Sequence, residues 1–268
     1  MKIINALFCA AMLLACSWAS ASFISMATDF SVSETADGLV LVVSTENRGD
    51  ERAYGVQLEV QTGDQQFASS VVPQLAVNEK LEEEYTVDDA FSLPGHYPII
   101  IKTHYKDANG YPFSALSVAF YDYKQPVVSK ILIRAEGVSI PSNGKGKVGF
   151  VIRNTDSVVR NLDLVLYLPD ELVAVSERQS IQLEPGSEER LQFLVENFSA
   201  LENSSYAIAL VAQYEDDARH YSNAGPAVVK ITGPSEMSAL WIWAVGGTVA
   251  IFVIVLLIVF RRQKKSPS

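Results

Sequence analysis

Four landmarks recur along this chain of 268 residues at a nearly constant offset, and a repeat of that kind restricts the fold severely. The stretch from Lys147 to Thr155 repeats Gly38 to Arg48 and sets Asn154 opposite Asn47. Leu162 to Pro169 repeats Val56 to Gln61. Glu184-Pro185-Gly186 precedes the run from Arg190 to Glu196 as Val77-Asn78-Glu79 precedes Leu81 to Asp88. Tyr206 and Tyr214 repeat Tyr97 and Tyr105, eight positions apart in both cases. Asn47 lies 50 residues before Tyr97, and Asn154 lies 52 before Tyr206. Two tandem domains follow.

The local pattern sets the class. From Phe30 to Ile231 helix-length amphipathic stretches are absent, and short runs of Val, Ile, Leu, Tyr and Thr alternate with turn signals, which predicts an all-β chain. Asp107-Ala108-Asn109-Gly110 is a hairpin signal, and Pro141 to Gly144 reads as a loop within the second copy. The paired tyrosines share a strand face with Ile99, Ile101 and Thr103, or with Ile208, Leu210 and Ala212, so Tyr97, Tyr105, Tyr206 and Tyr214 are expected to be structural core. The opposite face, with Lys102, His104 and Lys106, is expected to be wetter. The boundary falls near Tyr123 to Val127, giving domains at 22–125 and 126–234.

These motifs carry a resemblance. A strand ending in Glu46-Asn47-Arg48-Gly49 or Arg153-Asn154-Thr155-Asp156, the turn Leu183-Glu184-Pro185-Gly186, and a strand bounded by two tyrosines resemble the Ig-like surface modules of bacteria and archaea. The cell-adhesion-related bacterial domain and the Ig-like sandwich associated with alpha-galactosidases are similar. The first copy departs by lacking Pro-Gly at Ala76 to Glu79, and the second lacks a glycine at Glu215 to Asp217. The resemblance implies two seven-stranded sandwiches in an extracytoplasmic binding, adhesion or spacer role, and it brings no catalytic residues. An antibody-type domain is disfavoured, because residues 22–238 contain neither cysteine nor tryptophan.

The two ends predict a location. Lys2, the apolar run Ala6 to Ala15 and Ala19-Ser20-Ala21 read as a signal peptide over 1–21. Leu13-Leu14-Ala15-Cys16 offers a lipobox instead, with Cys16 acylated, and an uncleaved anchor is the third option. At the other end, 22 residues from Ala239 to Phe260 carry no charge and would reach about 33 Å as a helix, enough to cross a bilayer. Trp241 and Trp243 suit the headgroup layer, Gly246 and Ala250 form a small-xxx-small pair, and Arg261, Arg262, Lys264 and Lys265 form a basic tail over 261–268. The expectation is therefore two tandem Ig-like β-sandwiches plus one C-terminal transmembrane α-helix at 239–260, single-pass, with the N-terminus outside the cytoplasm.

Composition excludes several functions. Both cysteines, Cys9 and Cys16, fall in the leader, so no disulfide or thiolate site is expected beyond it. Setting Lys2 and the four tail cations aside from 21 Lys and Arg leaves 16 against 31 Asp and Glu, a net −15. Nucleic acid is a poor partner for such a surface.

No catalytic or cofactor site is expected. Gly144 to Gly149 fits G-x-G-x-x-G but leads into a strand rather than a helix, and is read as a loop between strands. Asp107 and Asn109 are weak calcium candidates without a closing glutamate. Glu82, Glu83 and Glu84 read as edge protection, with Glu82 and Glu84 as further weak calcium or cationic-partner candidates. His96 and His104 lie roughly 26 Å apart along a strand, too far to share a metal, and His220 stands alone. Asn197 and Asn203 head chance glycosylation sequons. The expected function is non-enzymatic binding or spacing toward a protein or surface polymer, with no small-molecule substrate. The alternative is an accessory subunit of a membrane secretion, transport or envelope-assembly complex.

Overall fold

A computed structural model describes residues 23–35, 38–87, 91–216 and 218–233. Every regular element among them is a β-strand. The predicted all-β class stands, but the predicted fold with a transmembrane helix is corrected. No helix among the described residues is long and apolar enough to cross a membrane. Residues 239–260, with Trp241, Trp243, Gly246 and Ala250, and the tail cations Arg261, Arg262, Lys264 and Lys265 lie outside the described residues. Length and hydropathy identify a segment that avoids water; they do not by themselves establish helical geometry for it. The leader 1–21 lies outside as well.

The chain divides into two compact units, one containing 23–87 and 101–113, the other 91–100 and 114–233. In the first, β1 (Met26–Thr35) pairs antiparallel with β2 (Gly38–Asn47). The strict alternation of β2 sends Leu39, Leu41, Val43, Thr45 and Asn47 inward. β3 (Ala53–Thr62) pairs along one edge with β4 (Gln65–Ala68) and β5 (Val72–Leu75). β6 (Lys80–Val87) returns to the other edge of β2, giving the order β1-β2-β6. Leu41, Val43, Leu58, Val60 and Ile101 are buried, so the apolar faces of both layers are removed from water. Each such side chain contributes about 1.5–3 kcal/mol.

β7 (Gly95–Lys106) and β8 (Pro112–Tyr123) form the predicted hairpin, and the boundary between the units cuts both strands. At its turn Gly110 has φ 81°, a conformation that side chains with a Cβ resist.

The second unit is a sandwich-like pair of sheets. One has the order β13 (Leu172–Ala174), β15 (Glu188–Asn197), β11 (Lys145–Asn154), β9 (Ile131–Ala135). The other runs β14 (Arg178–Leu183), β12 (Arg160–Tyr167), β16 (Ser205–Asp216), β17 (Arg219–Thr232), and β10 (Val138–Pro141) lies parallel to the end of β17. The core between them contains Phe150 and Phe193, edge-on with ring centroids 6.1 Å apart, together with Ile152, Leu164, Leu210 and Ile231. The glycine-rich stretch is no loop: after a turn at Gly144 the strand β11 begins at Lys145. Gly146 lies there because a Cβ would come within 2.8 Å of Ile140 Cγ1.

Candidate functional site

An open apolar groove of about 590 Å³ runs along the second unit. One wall is the face of β8 that carries Leu116, Val118 and Phe120, which period-2 alternation places together. The floor comes from β16 and β17, with Ala207, Ala209, Ala224, Pro226 and Val228. Small side chains keep that floor low, and every lining residue is apolar. The volume falls in the ordinary range for ligand sites, about 300–1,000 Å³. Pro226 has no N–H to offer, which blunts that stretch of β17 as a template for another strand.

Polar ties among the described residues fix the wall to the rest of the unit in two places. At the start of β8, Ser114 N–H donates to Glu171 Oε1 at 2.8 Å and its hydroxyl donates to Oε2 at 2.7 Å. Asp170 N–H in turn donates to Ser114 Oγ at 2.7 Å. Glu171 is only 1% exposed, and each of its carboxylate oxygens accepts a hydrogen bond from Ser114.

The second tie is the approach of β7 to β17. His220 pairs with Gly95, His220 N–H donates to Pro94 O at 3.1 Å, and Ser222 Oγ donates to His96 O at 2.7 Å. A Cβ at residue 95 would stand 2.1 Å from His220 O, so this approach requires glycine. The imidazole of His220 lies flat on Tyr97, centroids 4.1 Å apart and planes 4° from parallel, and Tyr97 stacks on Phe91 at 3.9 Å. His220 is 8% exposed and its Nε2 has no hydrogen-bond partner. Burial pushes its pKa below 6.5, the exposed Glu215 carboxylate 3.4 Å from Nδ1 opposing this and His96 adding to it.

The predicted tyrosines occupy defined places. Tyr97 donates its hydroxyl to Leu93 O at 2.8 Å, four residues upstream. Burial pushes its pKa up, the hydrogen bond to Leu93 opposing. Tyr206 accepts from Leu201 N–H at 3.2 Å, and Tyr214 accepts from Lys130 N–H at 3.1 Å while stacking on Tyr221. These three are buried; Tyr105 is half-buried against Phe113.

Asp107 and Asn109 are brought together, as a turn. Asp107 Oδ1 accepts from the N–H groups of Asn109 and Tyr111 at 2.9 and 2.8 Å. Burial raises the pKa of Asp107 and these hydrogen bonds outweigh it, leaving the carboxyl below its ordinary value. Glu82 and Glu84 project from the exposed face of β6. No group of three metal-ligating residues occurs among the described residues. His96 pairs with Asp122 at 2.7 Å, and His104 with Glu59 at 3.2 Å.

Sequence reasoning missed Glu171 and His220. A lone glutamate after Pro169-Asp170 signals an exposed turn, and the histidine finds its partners far away in the chain. The small-residue spacing Ala207, Ala209, Ala224 was the available signal for the groove.

No protein-family model matches this sequence, and no curated protein matches it. Among solved structures, trypsin-activated alpha-2-macroglobulin from Escherichia coli is 10% identical over 78% of this chain and 18% of that chain, with a TM-score of 0.31. Red sea bream transglutaminase is 11% identical over 81% of this chain and 32% of that chain, with a TM-score of 0.25. The YadV chaperone is 12% identical over 75% of this chain and 99% of that chain, with a TM-score of 0.31. The chain spans less than a quarter of the length of the alpha-2-macroglobulin chains it matches. At these scores the likenesses do not bear on what the chain binds.

Proposed function

We propose that the chain is a non-enzymatic binding module of Ig-like type, working outside the cytoplasm and taking an apolar segment of a protein partner into the groove between β8 and the β16–β17 face. The observation that carries this reading is the groove itself: a sizeable opening lined by apolar residues. Exposed apolar surface of this kind costs solubility unless it is used. The extracytoplasmic part of the reading rests on the leader-like start and on the confinement of both cysteines to it.

The wall and floor suit an extended chain better than a polar metabolite, since no side chain there can orient a charge. Affinity then comes from burial of the partner's side chains against Leu116, Val118 and Phe120. The test is capture from a detergent extract of the source cells with three baits: the natural protein, Ala207→Trp, which fills the floor, and Val128→Trp at an exposed position away from the groove lining. A partner retained by the natural protein and Val128→Trp but lost with Ala207→Trp supports the reading. Equal retention by all three overturns it.

A further inference from the structure

We infer that the approach of β7 to β17 at His220 is an acid-labile clasp, which holds the β8 wall in place at neutral pH and releases it when the imidazole takes a proton. This rests on the groove reading only for its consequence; the clasp itself stands on geometry.

Two groups of polar contacts among the described residues join the wall of the groove to the rest of the unit. Ser114 with Glu171 secures the start of β8, and the contact of Pro94, Gly95 and His96 with His220 and Ser222 secures the strand that pairs with it. The second contact is centred on one ring. His220 is buried at the end of the Phe91–Tyr97 stack, its ring flat on Tyr97, and its Nε2 has no hydrogen-bond partner. Protonation would put a cation and a second N–H donor there, with nothing to receive the hydrogen bond.

From β16, Glu215 favours the cation but reaches Nδ1 only at 3.4 Å and is exposed to solvent, where its attraction is screened. From β7, His96 is a second potential cation, already engaged with Asp122 of β8, and Tyr97 offers a ring face that attracts cations. Tyr123 of β8 lies beyond, against Phe91. Desolvation is the largest of these effects and disfavours the protonated ring while the clasp is closed. The sign follows from linkage. A base whose folded pKa is depressed binds its proton more tightly once released, so the closed clasp is fully favoured above 6.5 and loses ground as pH falls below it.

Hydrogen exchange of the purified full chain tests this, with protection of residues 91–100 and 114–123 corrected for intrinsic rates at about pH 7.5 and about pH 5.5, on either side of the ordinary histidine value. The expected result is a selective loss of protection there at the lower pH, with β11 and β15 unchanged. His220→Phe keeps a ring on Tyr97 and cannot titrate, so its protection should not change with pH; His220→Gln serves if that variant does not fold. Equal loss in the natural protein and the variant, or no loss in either, overturns the clasp. Binding of the dye anilinonaphthalene sulfonate at about pH 7.5, compared with Ala207→Trp, reports on the groove separately. Dye binding without a His220-dependent change sinks the clasp alone, and a His220-dependent change without dye binding sinks only the groove reading.

Discussion

Asn47 and Asn154 make three corresponding hydrogen bonds in the two units, and Asn154 Nδ2 adds a fourth to Glu184 O at 3.3 Å. Asn47 Nδ2 donates to Glu51 O at 2.7 Å and Leu75 O at 3.3 Å, while its Oδ1 accepts from Gly49 N–H at 3.0 Å. Asn154 Nδ2 donates to Val158 O at 2.9 Å and Leu183 O at 3.0 Å, and its Oδ1 accepts from Asp156 N–H at 2.9 Å. Both side chains are fully buried. Each amide therefore ties the end of one strand to the loop that follows it and to a more distant strand end. Alanine removes the partner of two carbonyls and one N–H at position 47, and of three carbonyls and one N–H at position 154. Denaturant unfolding should show losses of about 2–4 kcal/mol for Asn47→Ala and for Asn154→Ala. Losses below about 0.5 kcal/mol would mean that water replaces the amide freely.

Tyr97 separates two contributions. Removing only its hydroxyl in Tyr97→Phe deletes the bond to Leu93 O and should cost about 1 kcal/mol. Tyr97→Ala also removes the ring between Phe91 and His220 and should cost about 3–5 kcal/mol. Thermal melts of the two variants check the difference, and equal effects would show that the ring packing is dispensable.

Ser114→Ala addresses the other end of the wall. It removes the hydroxyl that accepts from Asp170 N–H and strips one donor from the buried Glu171 carboxylate. The expected loss is about 2–3 kcal/mol of stability. Weakened binding in the groove should accompany it, read by dye fluorescence and by denaturant melts.

Tyr85 predicts alkaline behaviour. Burial, with Glu83 adding to it, pushes this phenol up to about 12, and its hydroxyl has no partner. An acid whose folded pKa is raised stabilises the fold fully below 10 and loses that contribution as pH climbs toward about 12. A tyrosinate absorbance titration should contain one late-ionising group that Tyr85→Phe removes. The variant should be no less stable at neutral pH, since a buried hydroxyl without a partner is a cost.

The strands were largely legible, because β2, β6 and β15 are half-covered ladders whose alternation can be read directly. The tandem repeat also exposed Asn47 and Asn154 as equivalent positions. Their role was not legible, since it depends on Leu75 and Leu183, 28 and 29 positions along the chain. His220 looked isolated for the same reason: Ser222 beside it meets His96 at a separation of 126 residues. Glu171 carries no local sign of burial, because the Ser114 that satisfies it lies 57 residues away. Chemistry assembled by long-range approach leaves no local periodicity to read.

The groove carries the account, and its occupancy is open to direct measurement. Equilibrium titration of the captured partner against the natural protein, Val128→Trp and Ala207→Trp at neutral pH should give equal Kd values for the first two. The third should bind at least about tenfold more weakly, equivalent to about 1.4 kcal/mol. An unchanged Kd for Ala207→Trp would place recognition elsewhere on the molecule and contradict the account.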